Sequence, residues 1–189
     1  AHYERLGLGK AMDLYAYWLD AKTPIPETLI KMNDRFISRH PDVKIRPVNL
    51  NDVEGEMRAL LAIYNDAWED NWGAIRMDEE EMRKVVKDIQ PMLDPRFCYF
   101  LEINGEPAAL SVTVPDYNQV VKPMNGRLLP FGWYYWLTRP KKVNQLRVLV
   151  LGVRKKYQQM PLGLPLYMKT WEEGLKAGVR GAEASWILE

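Results

Sequence analysis

The sequence has very few residues that bind transition metals or form disulfides. Its 189 residues include one cysteine, Cys98, and two histidines, His2 and His40. A lone cysteine cannot form an internal disulfide. Soft ligands spread this widely along a chain disfavour a zinc site. We therefore expect no metal, and a buried thiol in a reducing, cytoplasmic setting.

The chain also lacks a strong net charge and a long apolar run. Its 26 basic and 25 acidic residues give a net charge of +1, which provides no long-range field for nucleic acid or an anionic membrane. The apolar stretch 128–137 contains Pro130 and Gly132 and is too short to span a bilayer. We therefore expect neither nucleic acid nor a membrane as a partner.

The remaining composition is that of a soluble globular protein. Hydrophobic residues make up 47% and charged residues 27% of the chain, and its length suits one domain with one core. Apolar periodicity predicts the order strand, two helices, three strands, helix and strand from residue 43 onward. The predicted strands are 43–48, 97–103, 106–114, 143–153 and 181–188, and helices are predicted within 51–68, 78–89 and 164–176.

Local signals mark several element ends. Asn51 with Glu54, and Asp78 with Glu81, have the spacing of helix capping boxes. Asn104-Gly105 is a strong hairpin signal, because both positions of such a turn need positive φ. We therefore expect an antiparallel pair on either side of this turn.

Two further features point to a ligand. Gly152 permits a bulge or the close approach of a ligand near the end of strand 143–153. The segment 115–142 is rich in proline, glycine and aromatic residues and is too long for a plain connection. We predict that this segment is a lid or substrate loop, with its aromatic part 131–136 forming either a pocket wall or a small satellite core.

The stretch 157–163 connects the buried strand 143–153 to the helix 164–176. A strand, tight turn and helix start leave backbone N–H groups at the helix N-terminus, where a phosphate binds without a charged side chain. The basic run 154–156 before it is either solvated or in contact with such phosphates. A cofactor, if one binds, is expected here.

The element order and this turn resemble the GNAT acetyltransferase superfamily over roughly residues 43–189. The family's acyl-CoA motif, Q/R-x-x-G-x-G/A, matches at Gln158 and Gly163. The segments 63–68, 125–132 and 185–189 look like those of a group of uncharacterised bacterial tandem GNAT proteins. The resemblance implies an α/β fold of the α+β kind. Its mixed, mostly antiparallel sheet would have helices on both faces and a V-shaped splay between the fourth and fifth strands from residue 43.

The resemblance also implies an N-acyltransferase that moves an acetyl or short acyl group from acyl-CoA to an amine. Acetyl-CoA or a related acyl-CoA is the implied co-substrate, and a small-molecule or amino-acid-like amine is the implied acceptor. The implied acyl-CoA-binding residues are Leu151, Val153, Gln158, Gln159, Met160, Leu162, Gly163 and Leu164.

Two departures from the family pattern bear on these implications. Pro161 stands where the motif has its first glycine, which removes one backbone donor from the turn. The family's fold continues past the fifth strand, whereas residues 1–20 look like the end of a preceding GNAT-like domain. We therefore divide the chain into a tail and connector helix, 1–42, and a GNAT-like domain, 43–189, truncated after its fifth strand. Residues 1–20 would complete the sheet within this chain or by exchange in a homodimer.

Candidate catalytic and substrate residues follow from chemistry rather than from a motif. Glu183, Ser185 and Glu189 share a strand face and are a candidate base, relay and substrate anchor, or else a solvated or interface-facing strand edge. Asp116, Asn125 and Trp133 are candidate substrate-binding residues, although turn formation explains the two polar side chains equally well. The alternative to an enzyme is a GNAT-like binding or regulatory domain without catalysis.

Overall fold

One mixed sheet forms the centre of the protein. The structure, a computed structural model, describes residues 2–71, 73–138 and 143–188. In that part of the chain, six strands lie in the order β1-β6-β5-β4-β3-β2. Only β5 and β6 run parallel among the neighbouring pairs of this sheet. The strands are β1 (Leu14–Asp20), β2 (Val43–Pro47), β3 (Cys98–Ile103), β4 (Glu106–Pro115), β5 (Gln145–Val153) and β6 (Gly181–Leu188).

Helices cover both faces of the sheet. One face packs against α2 and α7, and the other packs against α3 with α4 beside it. The predicted fold class, a mostly antiparallel mixed sheet between helices, is therefore confirmed. The helices are α1 (His2–Arg5), α2 (Glu27–Arg39), α3 (Val53–Ala67), α4 (Glu79–Ile89), α5 (Asn118–Val121), α6 (Gly132–Thr138) and α7 (Gly163–Lys176).

The alternation of side chains along β3 divides the core into two layers. Leu101 packs with Phe36 of α2 and Leu166 of α7. Phe100, its neighbour, points to the opposite face and packs with Ile63 of α3. Because both faces of this strand are buried, its sequence is apolar throughout except at Glu102.

The start of α3 differs from the sequence prediction by one residue. Asp52, rather than Asn51, caps the helix and accepts a hydrogen bond from the N–H of Gly55 at 3.1 Å. The Asn49 side chain accepts from the N–H of Asn51 at 3.0 Å, which closes a turn before the helix begins. The predicted Asn51 and Glu54 box is therefore wrong.

Two other local predictions are confirmed. Asp78 and Glu81 form a reciprocal capping box at the start of α4. Asn104 and Gly105 have φ angles of 53° and 81°, as the hairpin between β3 and β4 requires. These local sequence signals therefore set the ends of elements on both sides of the sheet.

The N-terminal segment completes the sheet within the same chain. Strand β1 pairs antiparallel with β6 from Leu14 opposite Leu188 to Asp20 opposite Gly181. Helix α2 follows and packs against α7. The division of the chain at residue 42 and an exchange of this segment between two copies both stay predictions.

The connection between β4 and β5 contains helices rather than only loop. Residues 118–121 form α5 and residues 132–138 form α6. That this segment acts as a lid or substrate loop stays a prediction. Gly132 begins α6, and the aromatic run that follows forms the body of this short helix.

Candidate functional site

Strands β5 and β6 separate partway along their length. They pair in parallel from Gln145 opposite Gly181 to Val148 opposite Ala184, and no pairing continues beyond this point among the described residues. A bulge lies at the same place, because Val112 and Thr113 of β4 face Val150 and Val148 and leave Leu149 as the extra residue. The predicted V-shaped splay is present, and it begins at this bulge.

Among the described residues, the second half of β5 therefore has a backbone edge without a strand partner. Leu151 and Val153, two of the implied acyl-CoA-binding residues, lie in this half, and their side chains pack against the core beneath α7. Free backbone N–H and C=O groups on a strand edge can pair with an extended amide-containing ligand. The gap therefore offers a place for such a ligand beside β5.

Gly152 has a different role from the predicted one. A Cβ atom at this position would lie 2.5 Å from Cη2 and Cζ3 of Trp68, whose ring stacks with Tyr64 on α3. The close approach that requires glycine is therefore made by the indole of Trp68, and the bulge lies at Leu149 instead.

The turn after β5 uses most of its N–H groups internally. The N–H groups of Gln158, Met160 and Leu162 donate to the carbonyls of Lys155, Tyr157 and Met160, and that of Leu164 donates to Pro161. In the described turn, the N–H groups of Gln159 and Gly163 have no backbone acceptor. An anion at this turn would therefore find two unshared backbone donors.

Acidic residues neutralise the basic run before the turn. Arg154 and Lys156 both pair with Glu106, the latter at 2.6 Å. Lys155 pairs with Glu69 at 2.7 Å and with Asp70 at 2.8 Å. These hydrogen-bonded carboxylates hold the pKa of Lys155 well above its usual value. Phosphates at this turn would therefore compete with carboxylates for each of the three cations.

Glu183 lies at the closed end of the gap. It stands opposite Arg147 in the β5–β6 register, one pair before the strands separate. Its Oε1 atom lies 3.1 Å from Nη2 of Arg147 and accepts a hydrogen bond from Oγ of Ser185 at 2.7 Å. The structure thus brings the candidate base and its predicted relay, Ser185, together. Glu189 lies outside the described residues.

The candidate substrate residues of the β4–β5 connection have local roles. Asp116 accepts a hydrogen bond from the N–H of Asn118 at 3.1 Å at the start of α5. Asn125 has a φ of 49° and ends a short 3-10 turn. The indole N–H of Trp133 donates to the carbonyl of Pro130 at 2.7 Å. A substrate role for Asp116, Asn125 and Trp133 stays a prediction.

An open apolar groove lies beside α7, and the sequence did not predict it. The periodic apolar stripe of α7 consists of Leu164, Tyr167, Met168, Trp171 and Leu175, yet the residues that this helix buries are Pro165, Leu166, Thr170 and Gly174. The stripe borders a groove of about 500 Å³ instead. Its apolar walls include Leu164, Tyr167, Met168 and Trp171 of α7, Tyr17, Trp18 and Leu19 of β1, Pro24, Ile25, Pro26 and Leu29 around the start of α2, and Ala184 and Ile187 of β6.

The groove lies next to the strand gap. Ala184 belongs to the last β5–β6 pair, and Ile187 lies on the separated end of β6. At its other end, Tyr167 and Trp171 also line a smaller recess that reaches Leu175. The Tyr167 hydroxyl is neutral at ordinary pH, and burial raises its pKa further above the ordinary value of 10.0. The groove therefore suits an uncharged, extended ligand.

Neither a metal centre nor a membrane-spanning helix is found among the described residues. That part of the chain contains no cluster of three or more His, Cys, Asp or Glu side chains arranged for a metal ion. None of its helices has the length and apolar character needed to cross a bilayer.

Two curated proteins are similar in sequence to this chain. The bacterial ceramide synthase of Caulobacter vibrioides is 35% identical over 192 residues, and protein YghO of Escherichia coli K12 is 32% identical over 197 residues. The alignments cover 98% and 100% of this chain but 50% of each relative. The chain thus spans about half the length of these relatives, and no family profile matches it.

Solved structures show what kind of fold this is. A GCN5-related N-acetyltransferase from Sphaerobacter thermophilus aligns with a TM-score of 0.53 at 11% identity, covering 99% of this chain and 55% of that one. The GCN5-related glucosamine N-acetyltransferase region of a fungal multi-domain GH3 β-N-acetylglucosaminidase aligns with a TM-score of 0.60 at 10% identity, covering 98% and 20%. The chain therefore has the fold of the GNAT acetyltransferase superfamily.

Proposed function

We propose that this chain is the donor-binding part of an N-acyltransferase, which forms an amide from an acyl thioester and an amine. The observation that carries the proposal is the divergence of β5 and β6 after Val148 and Ala184. The unpaired edge of β5 would pair with the amide groups of the donor's arm and polarise the thioester carbonyl through a backbone N–H. The turn at Gln159 and Gly163 would contribute two donors to its phosphates.

The reaction joins the amine nitrogen to the thioester carbonyl carbon, after which the carbon–sulfur bond breaks and the thiolate leaves. The amine must lose a proton and the thiolate must gain one. In this proposal Glu183, at the closed end of the gap, accepts the proton of the amine, and Ser185 and Arg147 orient its carboxylate. Such a carboxylate would hold the acceptor beside the unpaired edge of β5.

The acyl group is proposed to be a long hydrocarbon chain rather than the acetyl or short acyl group implied by the superfamily. The groove beside α7 is open, apolar and next to the strand gap. Ceramide, the product named for the Caulobacter relative, is an amide of a long-chain amino alcohol. A long acyl chain in the groove would bury the exposed part of the α7 stripe, and each buried CH₂ would contribute about 0.8 kcal/mol.

A second candidate function is a GNAT-like binding or regulatory domain without catalysis. Three features of the turn 157–163, called the donor turn, and of the basic run before it favour this alternative. Pro161 has no N–H, four of the turn's N–H groups already have backbone acceptors, and the basic run is neutralised. Each net hydrogen bond that a phosphate cannot make would cost about 1 kcal/mol.

Mass spectrometry of reaction mixtures distinguishes these candidates. The chain would be incubated with acetyl-, octanoyl- or palmitoyl-CoA and with either ethanolamine or a long-chain amino alcohol. Amide formation with the longer donors is the expected result. Donor binding by calorimetry without any amide would favour the second candidate. Neither binding nor amide with any donor would overturn the proposed function.

A further inference from the structure

The connection between β4 and β5 presents an apolar surface to solvent. The exposed side chains of residues 128–137 form this surface, called the 128–137 surface. Leu129 and Phe131 are 74% and 71% exposed, far above what burial in a core would leave. Leu128, Trp133, Tyr134, Trp136 and Leu137 are also exposed large apolar side chains of this surface. An apolar patch of this kind marks a contact with another molecule.

The stretch of sequence that contains this surface carries charge of one sign. No Asp or Glu occurs between Asp116 and Glu172, although the net charge of the whole chain is only +1. Acids from other parts of the chain pair with the later basic residues of this stretch, such as Arg147 with Glu183 and Lys155 with Glu69. The acid-free stretch is thus neutralised where it forms the sheet and the donor turn.

Two basic residues beside the 128–137 surface, Lys122 and Arg127, differ from Arg147 of the sheet and Lys155 before the turn. In the part of the chain that the structure describes, Lys122 and Arg127 have no carboxylate partner, although many other basic residues do. The sequence places three more basic residues directly after α6, at 139, 141 and 142, outside the described residues. The apolar surface is therefore flanked in sequence by cations on both sides.

The exposed aromatic side chains and the nearby cations together favour one class of partner. Tryptophan and tyrosine rings prefer the boundary between hydrocarbon and headgroups, and nearby Lys and Arg side chains are attracted to anionic lipids. A second copy of the chain is disfavoured, because a self-complementary contact would bring Lys122 and Arg127 of one copy towards the same cations of the other.

We propose that the 128–137 surface docks this chain onto an anionic lipid bilayer, with α6 lying at the headgroup boundary. The docking is peripheral, because α6 has seven residues and cannot cross the hydrocarbon core. This inference goes beyond the proposed function and does not require it, since it rests on the exposure and charge of a segment that is separate from the donor turn.

Cosedimentation of the full chain with vesicles tests the proposal. Vesicles of equal parts phosphatidylglycerol and phosphatidylcholine would be compared with vesicles of phosphatidylcholine alone, at about 50 mM and about 500 mM salt. We expect the chain to pellet with the anionic vesicles at low salt. Binding should fall at least about tenfold with the neutral vesicles or at high salt.

Substitutions test whether vesicle binding occurs through the 128–137 surface. Phe131→Ser combined with Leu137→Ser removes two exposed apolar side chains, so the fold should remain intact. Ile75→Ser is the matched control, because Ile75 is 78% exposed but lies between α3 and α4. We expect the double variant to lose at least about tenfold in vesicle binding and the control to bind as the parent does.

Three results would overturn the proposal. The first is no pelleting with anionic vesicles. The second is equal binding by the parent and by the double variant with intact circular dichroism. The third is a dimer in ultracentrifugation that the double variant abolishes while vesicles are not bound, which would assign the surface to a second copy. Donor binding is measured separately, so failure of this proposal and failure of the proposed function are distinguishable.

Discussion

The indole of Trp68 lies against the backbone of Gly152, so closely that a Cβ atom there would be 2.5 Å from two ring carbons. This contact ties the C-terminal end of α3 to the separated half of β5. It also explains why glycine occupies a strand position where it costs conformational entropy. The packing of α3 therefore helps to hold β5 where the gap opens.

Gly152→Ala should destabilise the protein by about 1–3 kcal/mol, because the added methyl group forces the Trp68 ring to move. Urea denaturation followed by fluorescence measures the change. Gly174→Ala is the control, since its Cβ would meet nothing closer than 3.7 Å and alanine favours a helix. A stability equal to that of the parent in Gly152→Ala would contradict this packing account.

Cys98 should resist thiol reagents in the native protein. It is 1% exposed, and burial raises the pKa of its thiol to about 11 from an ordinary value of 9.0. The neutral thiol is therefore favoured by folding, a contribution that is complete below about pH 9 and is lost as the pH rises through about 11. Labelling with Ellman's reagent at pH 8 should be slow until denaturant is added.

An exposed cysteine provides the reference rate. Ile75→Cys introduces a thiol at a side chain that is 78% exposed. This second thiol should react at once at pH 8, because exposure leaves its thiolate accessible. Immediate labelling of Cys98 in the parent protein would show that the thiol is not buried.

Pro161→Gly should increase donor affinity if the missing N–H weakens the phosphate contact. One restored hydrogen bond is worth about 1 kcal/mol, or roughly a fivefold lower Kd for octanoyl-CoA. Pro123→Gly, in the β4–β5 connection, is a control for the loss of a proline. If calorimetry gives the same Kd for Pro161→Gly and for the parent, the missing N–H of Pro161 does not weaken donor binding.

Glu183→Gln should lower kcat about a hundredfold or more and leave KM for the donor nearly unchanged, as expected for loss of a general base. The low-pH limb of the rate–pH profile would change as well, because a general base acts only when it is deprotonated. Glu172→Gln is the control, because Glu172 also pairs with a cation but lies on α7. An unchanged profile in Glu183→Gln would leave this carboxylate with a structural role only, in its partly exposed ion pair to Arg147 and its hydrogen bond from Ser185.

Leu29→Glu should weaken binding of octanoyl-CoA about tenfold and leave acetyl-CoA binding unchanged, because a charge in the apolar groove disfavours a hydrocarbon chain. Leu29 lines the groove and is 38% exposed. Ile30→Glu is a closely matched control, since Ile30 is 37% exposed on the same helix but does not line the groove. Equal effects of the two substitutions on octanoyl-CoA would argue against the groove as the chain's site.

The sequence predicted the helices and strands better than the grooves and the strand register that their packing creates. The hairpin at Asn104-Gly105 and the box at Asp78 and Glu81 were predictable because each depends on neighbouring residues alone. The groove was not predictable from the sequence. The apolar periodicity of α7 is the same whether other parts of the chain cover the stripe or leave it exposed to solvent. The bulge at Leu149 was placed at Gly152 because a strand without alternation gives no register signal.

The net charge of the whole chain concealed the basic residues beside the 128–137 surface. The net charge of +1 argued against a membrane partner, yet the acid-free stretch after Asp116 concentrates unpaired cations beside exposed aromatic residues. Which cations are neutralised depends on contacts between distant segments, such as Lys155 with Glu69. Only the folded structure separates Lys122 and Arg127 from the paired basic residues.

Hydrogen exchange of the chain with and without octanoyl-CoA tests the central claim, that an acyl thioester binds where β5 and β6 separate. The account predicts slower exchange in residues 149–153 and at Gln159 and Gly163, with additional protection of 164–171 that acetyl-CoA does not give. Unchanged exchange throughout these segments at saturating ligand, or protection confined to other parts of the chain, would contradict it.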